Sequence, residues 1–187
     1  TYHPMGGMTS AQFFHDDPWL GFNMLQSGHG ARHGANYEMI ARDYARLPVK
    51  PCLDGEARYE DHPINWDPQN GWFDDHDVRE AAYWAVFAGA FGHTYGCHDI
   101  WQFWGPQRPP VSHARTEWRE ALQLPGASQM RHLRHLIESR PMLVRIPDQS
   151  LLAPDKGTGA DHRQGTRGAD GSYAFVYMPR GGQVAVR

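Results

Sequence analysis

The feature that most narrows the fold is an alternation of short apolar runs with helical stripes. Trp19 to Ser27, WLGFNMLQS, is mostly apolar, entered from Asp16-Asp17-Pro18 and left at Gly28, the pattern of a buried strand. Tyr37, Ile40, Ala41, Tyr44 and Leu47 then recur at helical spacing behind Asn36, an N-cap residue type, and Pro48 stops that helix. Val49 to Asp54 reads as the next strand, and a long polar loop with Pro63, Pro68 and Gly71 follows it. Asp74 and Asp75 open a second helix, with Val78, Ala81, Ala82, Ala85, Val86 and Ala90 on one stripe. Gly89 to Gly96 predicts a glycine-rich strand, and the spacing predicts helices over His113 to Leu122 and Ala127 to Ser139, divided at Pro125-Gly126. Tyr2-His3-Pro4 is expected to end one more strand. Repeated strand–helix steps suit right-handed parallel crossovers, so the fold class is α/β.

From Arg140 onward the character changes. Ser172 to Met178 alternates, Pro179 to Gly182 turns, and Gln183 to Arg187 starts to alternate again, which predicts a β-hairpin. Two strands make no stable domain, so an all-β module is expected to open here, giving units of 1–140 and 141–187.

Charge and cysteine content exclude several functions. With 18 basic and 21 acidic residues there is no basic block to suit nucleic acid or an anionic membrane. No apolar run is long enough to span a bilayer, and TYHPMGG lacks the regions of a signal peptide. Cys52 and Cys97 are too few and too far apart for a disulfide framework or zinc ribbon.

Parallel α/β folds carry their chemistry at the carboxyl ends of strands. Gln26-Ser27-Gly28-His29 follows the first run, Gly55-Glu56-Ala57-Arg58-Tyr59-Glu60 the second, and His93-Thr94-Tyr95-Gly96 with Trp101 the third. A carboxylate, neutral hydrogen-bonding groups and flat aromatic faces match a sugar, which offers both hydroxyls and apolar C–H faces. Glu56 is the candidate catalytic carboxylate, tuned by Arg58 or Tyr59, with Glu60 and Asp61 as rivals in the same loop. Asp54 is expected to be an inward-facing hydrogen-bonding residue below the site. A competing pattern, Gly28-x-Gly30-x-x-x-Gly34 with Asp54 about 20 residues on, loosely resembles a dinucleotide fingerprint but has His33 where the third glycine belongs. The His29/His33 and His132/His135 pairs lack the companions of a metal motif, so neither metal nor cofactor is expected.

Taken together, YHPMGG, FNMLQSGHG, PVKPCLDGEARYEDHP, FDDHDVREAAYWAVFAGAFGHTYG and SRPMLVRIPDQSLL resemble the apiosidase-like glycoside hydrolases, the group that includes glycoside hydrolase family 140. The resemblance runs from Thr1 to Leu152, and the segment after it is similar to the start of the β-sandwich, labelled a collagen-binding domain, that follows the barrel in those proteins. It implies a (β/α)8 TIM barrel of which this chain supplies strands five to eight, and a retaining glycosidase acting on a plant-type polysaccharide or oligosaccharide. Glu56 would be the nucleophile, and His29, Tyr59, Tyr95 and Trp101 would shape the sugar subsites. The acid/base aspartate would lie upstream, so a missing N-terminal half-barrel would be required and the fragment alone would be inactive. The resemblance also implies a secreted or periplasmic protein. A non-catalytic carbohydrate-binding or interaction module on the same rim is the alternative.

Overall fold

The computed structural model describes residues 1–152 and 156–187. Two sheets organise them. The first runs β1 (Met8–Thr9), β2 (Asn23–Gln26), β3 (Cys52–Asp54) and β4 (Gly92–His93) in that order; β2, β3 and β4 are parallel and β1 is antiparallel to β2. A short helix, α1 (Ala11–Phe14), lies between β1 and β2, and the parallel connections are α2 (Asn36–Tyr44) and α3 (Asp75–Phe87). The mixed α/β class is as expected, and no closed barrel forms among the described residues.

β2, β3 and β4 are each shorter than the run that predicts them. β3 begins only at Cys52 because Pro51 has no N–H for the ladder, although its carbonyl accepts from Asn23 at 2.8 Å. Tyr2-His3-Pro4 forms no strand; Met8–Thr9 pairs instead. In β2 and β3 the residues facing the helices, Leu25, Cys52 and Asp54, are buried, whereas Met24 and Leu53 on the opposite face are only partly covered. Leu25, Ile40, Cys52, Ala85, Ala88 and Ala90 form the core between sheet and helices.

Asn36 is not the N-cap of α2. It is the first helical residue, buried, and its amide donates to Asp54 Oδ2 and to the Ala81 carbonyl, both at 2.9 Å, tying α2 to β3 and α3. Asp74 does cap α3, accepting from Asp77 N at 3.0 Å while the Asp77 carboxylate takes the Asp74 N–H at 3.0 Å, a reciprocal capping box. The helix predicted over His113 to Leu122 shrinks to α5 (Trp118–Ala121), after the short α4 (His98–Trp101). Ser112 and His113 sit in the left-handed region, and Asp99 Oδ1 captures the N–H groups of Arg115 at 3.0 Å and Thr116 at 3.1 Å. Pro125-Gly126 does not divide helices; it begins α6 (Pro125–Glu138), where a proline suits the first turn.

The second sheet is antiparallel: β5 (Arg145–Pro147), β6 (Gln164–Gly168), β7 (Ala174–Tyr177). The hairpin joins β6 to β7 rather than 172–178 to 183–187. Asp170 closes its turn by accepting from Ser172 N at 3.0 Å and Oγ at 2.8 Å, and near the chain end only Val186 bridges, to Leu152. This sheet leans on α3, whose Phe87 packs with Phe175 and whose Tyr83 stacks on Tyr177 at 4.5 Å. Tyr37 stacks on His162 at 3.5 Å, and Arg145 donates to the Val86 and Ala90 carbonyls where α3 ends. No helix among the described residues is long and apolar enough to cross a membrane.

Candidate active site

The ladder between β2 and β3 continues past both strands, with Gly55 N bonded to Leu25 O at 2.9 Å and Gly28 N to Glu56 O at 3.0 Å. This holds the two strand-end loops side by side. A side chain at position 55 would begin 2.2 Å from the Met24 methyl, so glycine there leaves room for the Met24 side chain against the backbone before Glu56.

Glu56 sits at the carboxyl end of β3, its side chain 18% exposed. Gln26 Nε2 donates to its Oε1 at 2.7 Å, His29 Nε2 lies 3.2 Å from the same oxygen, and His3 Nε2 lies 2.9 Å from Oε2. These partners hold the carboxyl below the usual carboxylate range: the His29 hydrogen bond leads, burial opposes it, and the charges of His29 and His3 add to the lowering. Glu56 is therefore an anion at neutral and mildly acidic pH.

Around it opens a cavity of about 380 Å³, lined by Gln26, His29, Glu56, Tyr59, His62, Trp66, His98, Trp101, Val111 and Ser112. Among the described residues Glu56 is the one carboxylate that lines it. Tyr59 packs on His29 with ring centroids 4.6 Å apart, and burial, with the Glu56 charge beside it, pushes its phenol up to about 12, so it remains a neutral hydrogen-bonding group. Trp66 and Trp101, each about half exposed, offer flat faces at the rim. The structure brings Glu56, His29, Tyr59 and Trp101 together, an arrangement fit to bind a ring with both apolar and hydroxylated faces.

Tyr95 is not part of that group. Its hydroxyl donates to Glu60 at 2.5 Å, and it borders a larger, mostly apolar cavity of about 540 Å³ between β4, α3 and α6. Arg58 does not tune Glu56 either: it is buried over Trp84 and paired with Glu80 at 2.9 Å, and the histidines take the tuning role. Glu60 and Asp61 are buried anchors outside the cavity. Glu60 accepts from Gly126 N with both oxygens at 3.1 Å, and burial pushes its carboxyl up. Asp61 takes Arg115 Nε at 2.8 Å and Thr116 Oγ1 at 2.6 Å; its burial is outweighed by these bonds, which hold it low.

Asp54 is fully buried and bonded, to Ser27 Oγ at 2.7 Å and to Asn36, on the helix-facing side of the sheet. Sealed there, it has no access to a dinucleotide ribose. His33 diverges from His29 to meet Glu80 at 3.0 Å, and His132 and His135 are exposed on α6. Among the described residues Asp74, His76 and Asp77 have ligand-like spacing, but the two acids are already engaged in the cap of α3 and with Arg32.

His3, His62, His98 and Trp66 escaped sequence reasoning. His3 arrives from before β1, and Trp66 is set by two successive left-handed residues, Asn65 at φ 53° and itself at φ 60°. The one available signal was compositional, the count of 12 histidines.

A family model described as "Apiosidase-like, catalytic domain" matches residues 1–144, and one described as "Putative collagen-binding domain of a collagenase" matches residues 146–187. No curated protein matches the sequence. A solved structure described as a glycoside hydrolase is 40% identical at TM-score 0.89, over 94% of this chain and 43% of its own. A crystal structure of a glycoside hydrolase family 5 protein from Bacteroides vulgatus ATCC 8482 is 39% identical at TM-score 0.90, over 95% of this chain and 41% of its own. The chain thus spans less than half the length of these two relatives. With the family model covering residues 1–144 and the site carried on the loops it covers, the chain belongs to the apiosidase-like family of glycoside hydrolases.

Proposed function

We propose that the complete protein hydrolyses a glycosidic bond in a plant-type polysaccharide or oligosaccharide by a retaining mechanism, with Glu56 as nucleophile. The observation that carries this reading is the Glu56 carboxylate, kept ionised by His29 and His3 at the base of an aromatic-rimmed cavity. A nucleophile must be an anion, whereas a general acid needs a raised pKa, so the lowered value favours the first role. Attack of the carboxylate on the anomeric carbon forms a glycosyl–Glu56 ester as the leaving oxygen takes a proton from the acid/base group. Water, deprotonated by that same group, then releases the sugar.

Retention needs a second carboxyl about 5 Å from the first, and among the described residues Glu56 is the one carboxylate lining the cavity. The reading assigns the second to an upstream aspartate, in a half-barrel that completes the one formed by β1 to β4. The partly covered face of Met24 and Leu53 supports this, because parallel sheets are normally covered on both faces. Export to the periplasm or the medium belongs to the same reading, as do a catalytic unit over 1–140 and an accessory β-module over 141–187.

The test is reducing-sugar release from plant oligosaccharides by the complete protein and its Glu56→Gln variant. Turnover is expected to vanish while binding persists, and residues 1–187 alone are expected to release nothing. Near-wild-type activity of the variant would overturn the nucleophile assignment, and turnover by the short chain would overturn the two-part site.

A further inference from the structure

His62 lines the Glu56 cavity but has no part in holding Glu56. Its ring stacks on His29 at 4.3 Å and meets His98 edge-on at 4.4 Å. Its Nδ1 lies 2.7 Å from the Pro63 carbonyl, a group that only accepts, so Nδ1 carries the hydrogen. In the neutral ring Nε2 is then a bare lone pair, and among the described residues no protein donor reaches it.

The neighbouring imidazoles are fixed differently. His98 Nε2 lies 3.1 Å and 3.0 Å from the Val111 and Ser112 carbonyls and so carries its hydrogen, while its Nδ1 accepts from Trp101 Nε1 at 3.2 Å. His29 Nε2 faces Glu56, and its Nδ1 is buried without a partner, sealed from the cavity. His62 Nε2 is thus the imidazole nitrogen left for a ligand. Burial, with His29 and His98 beside it, pushes the His62 pKa down to about 3, so the lone pair persists across the working range of a hydrolase.

A sugar hydroxyl docking beside Glu56 needs an acceptor, and Glu56 already takes Gln26, His29 and His3. We propose that His62 is a specificity-determining residue that accepts, at Nε2, a hydrogen bond from a ring hydroxyl of the sugar bound next to Glu56. This rests on the carbohydrate-hydrolase reading above. A sugar lacking that hydroxyl, or bearing it methylated, leaves the buried acceptor unpaired and is rejected.

The experiment uses the complete protein and the oligosaccharide it cleaves in the release assay, comparing His62→Phe, which keeps a stacked ring without an acceptor, with His62→Gln, which restores one. The expected loss in kcat/KM is roughly tenfold to a hundredfold for His62→Phe, with partial recovery in His62→Gln. Nitrogen-15 spectra of histidine-labelled complete protein should show His62 protonated at Nδ1 and His98 at Nε2, and the His62 Nε2 resonance should move when the released monosaccharide is added. Wild-type kinetics in His62→Phe would overturn the role while leaving the hydrolase reading intact, and so would a hydrogen found on His62 Nε2, even if the phenylalanine variant fails to fold. A complete protein that cleaves no oligosaccharide and shows no histidine shift with added sugars would overturn both readings together.

Discussion

Gly96 carries the wall of the cavity through a single close contact, and adding one methyl group there should reach the site. A Cβ at position 96 would lie 2.1 Å from Tyr59 Cδ1 and 2.2 Å from Cε1, against an ordinary contact of 3.4–4 Å. One partner has to move by more than an ångström. The backbone is restrained, because the Gly96 carbonyl accepts from Glu60 N at 2.9 Å, so the Tyr59 ring must yield. That ring also packs on His29, which is stacked in turn on His62, so its movement is passed to the groups that face the ligand. Overpacking of this kind costs about 1–3 kcal/mol. Gly96→Ala in the complete protein should lower the unfolding free energy by that amount, read as a lower urea midpoint at unchanged m-value, and lower kcat/KM by roughly tenfold or more, since misplacement on the order of 1 Å is enough. In a Tyr59→Leu background the stability penalty should largely disappear, giving a coupling energy of about 1–2 kcal/mol. Equal penalties in the two backgrounds would mean that the methyl group acts elsewhere, and no penalty in either would refute the packing argument.

Two other perturbations follow from buried charge. Asp99 is fully buried below the Trp101 wall; burial, with the Asp61 carboxylate beside it, pushes its pKa up to about 6. A carboxyl raised above its unfolded value adds stability that is complete below about pH 4 and is lost as pH rises through about 6; at about 1.4 kcal/mol per unit this is on the order of 2–3 kcal/mol. Asp99→Asn should flatten the urea midpoint between pH 4 and 7, and an unchanged slope would show that Asp99 is not the titrating group. Arg58 and Glu80 form a pair with each side chain nearly or wholly buried, so Glu80→Leu alone should cost about 3–5 kcal/mol by leaving the guanidinium unpaired, whereas the double variant Arg58→Leu/Glu80→Leu should recover more than half. A double variant no better than the single would show that the pair's other hydrogen bonds carry the stability.

Those parts of the molecule governed by local rules were legible in the sequence. Apolar runs located β2 and β3, the stripe located α3, and the Gly55-Glu56 step after a strand located the carboxylate. Long-range hydrogen bonds defeated the rest. Asn36 has the composition of a cap, but its amide gains more from Asp54 and Ala81 in the interior than from a helix end that water can satisfy. Residues 113–117 have helical spacing, yet Asp99 takes two N–H groups that a helix would need. His3 and His62 reach Glu56's surroundings from separate loops, 53 residues before Glu56 in one case and six after in the other, and no periodicity encodes that meeting.

The acids near β3 also show why the proposed nucleophilic role falls on one of them and not on the others. Asp61, Asp77 and Glu80 each meet an arginine, and Glu60 is fastened to a helix N-terminus, so their charge or proton is fully used in holding the chain. Such pairs are costly to break and offer nothing to a ligand. Glu56 has no arginine. Its partners are a glutamine amide and two imidazoles, which favour the anion, and its side chain keeps a share of exposed surface beside the cavity. A carboxylate held by an arginine would have to surrender a salt bridge on becoming an ester. Glu56 would surrender no arginine salt bridge, and that difference in partners is what the proposed role as nucleophile requires of it.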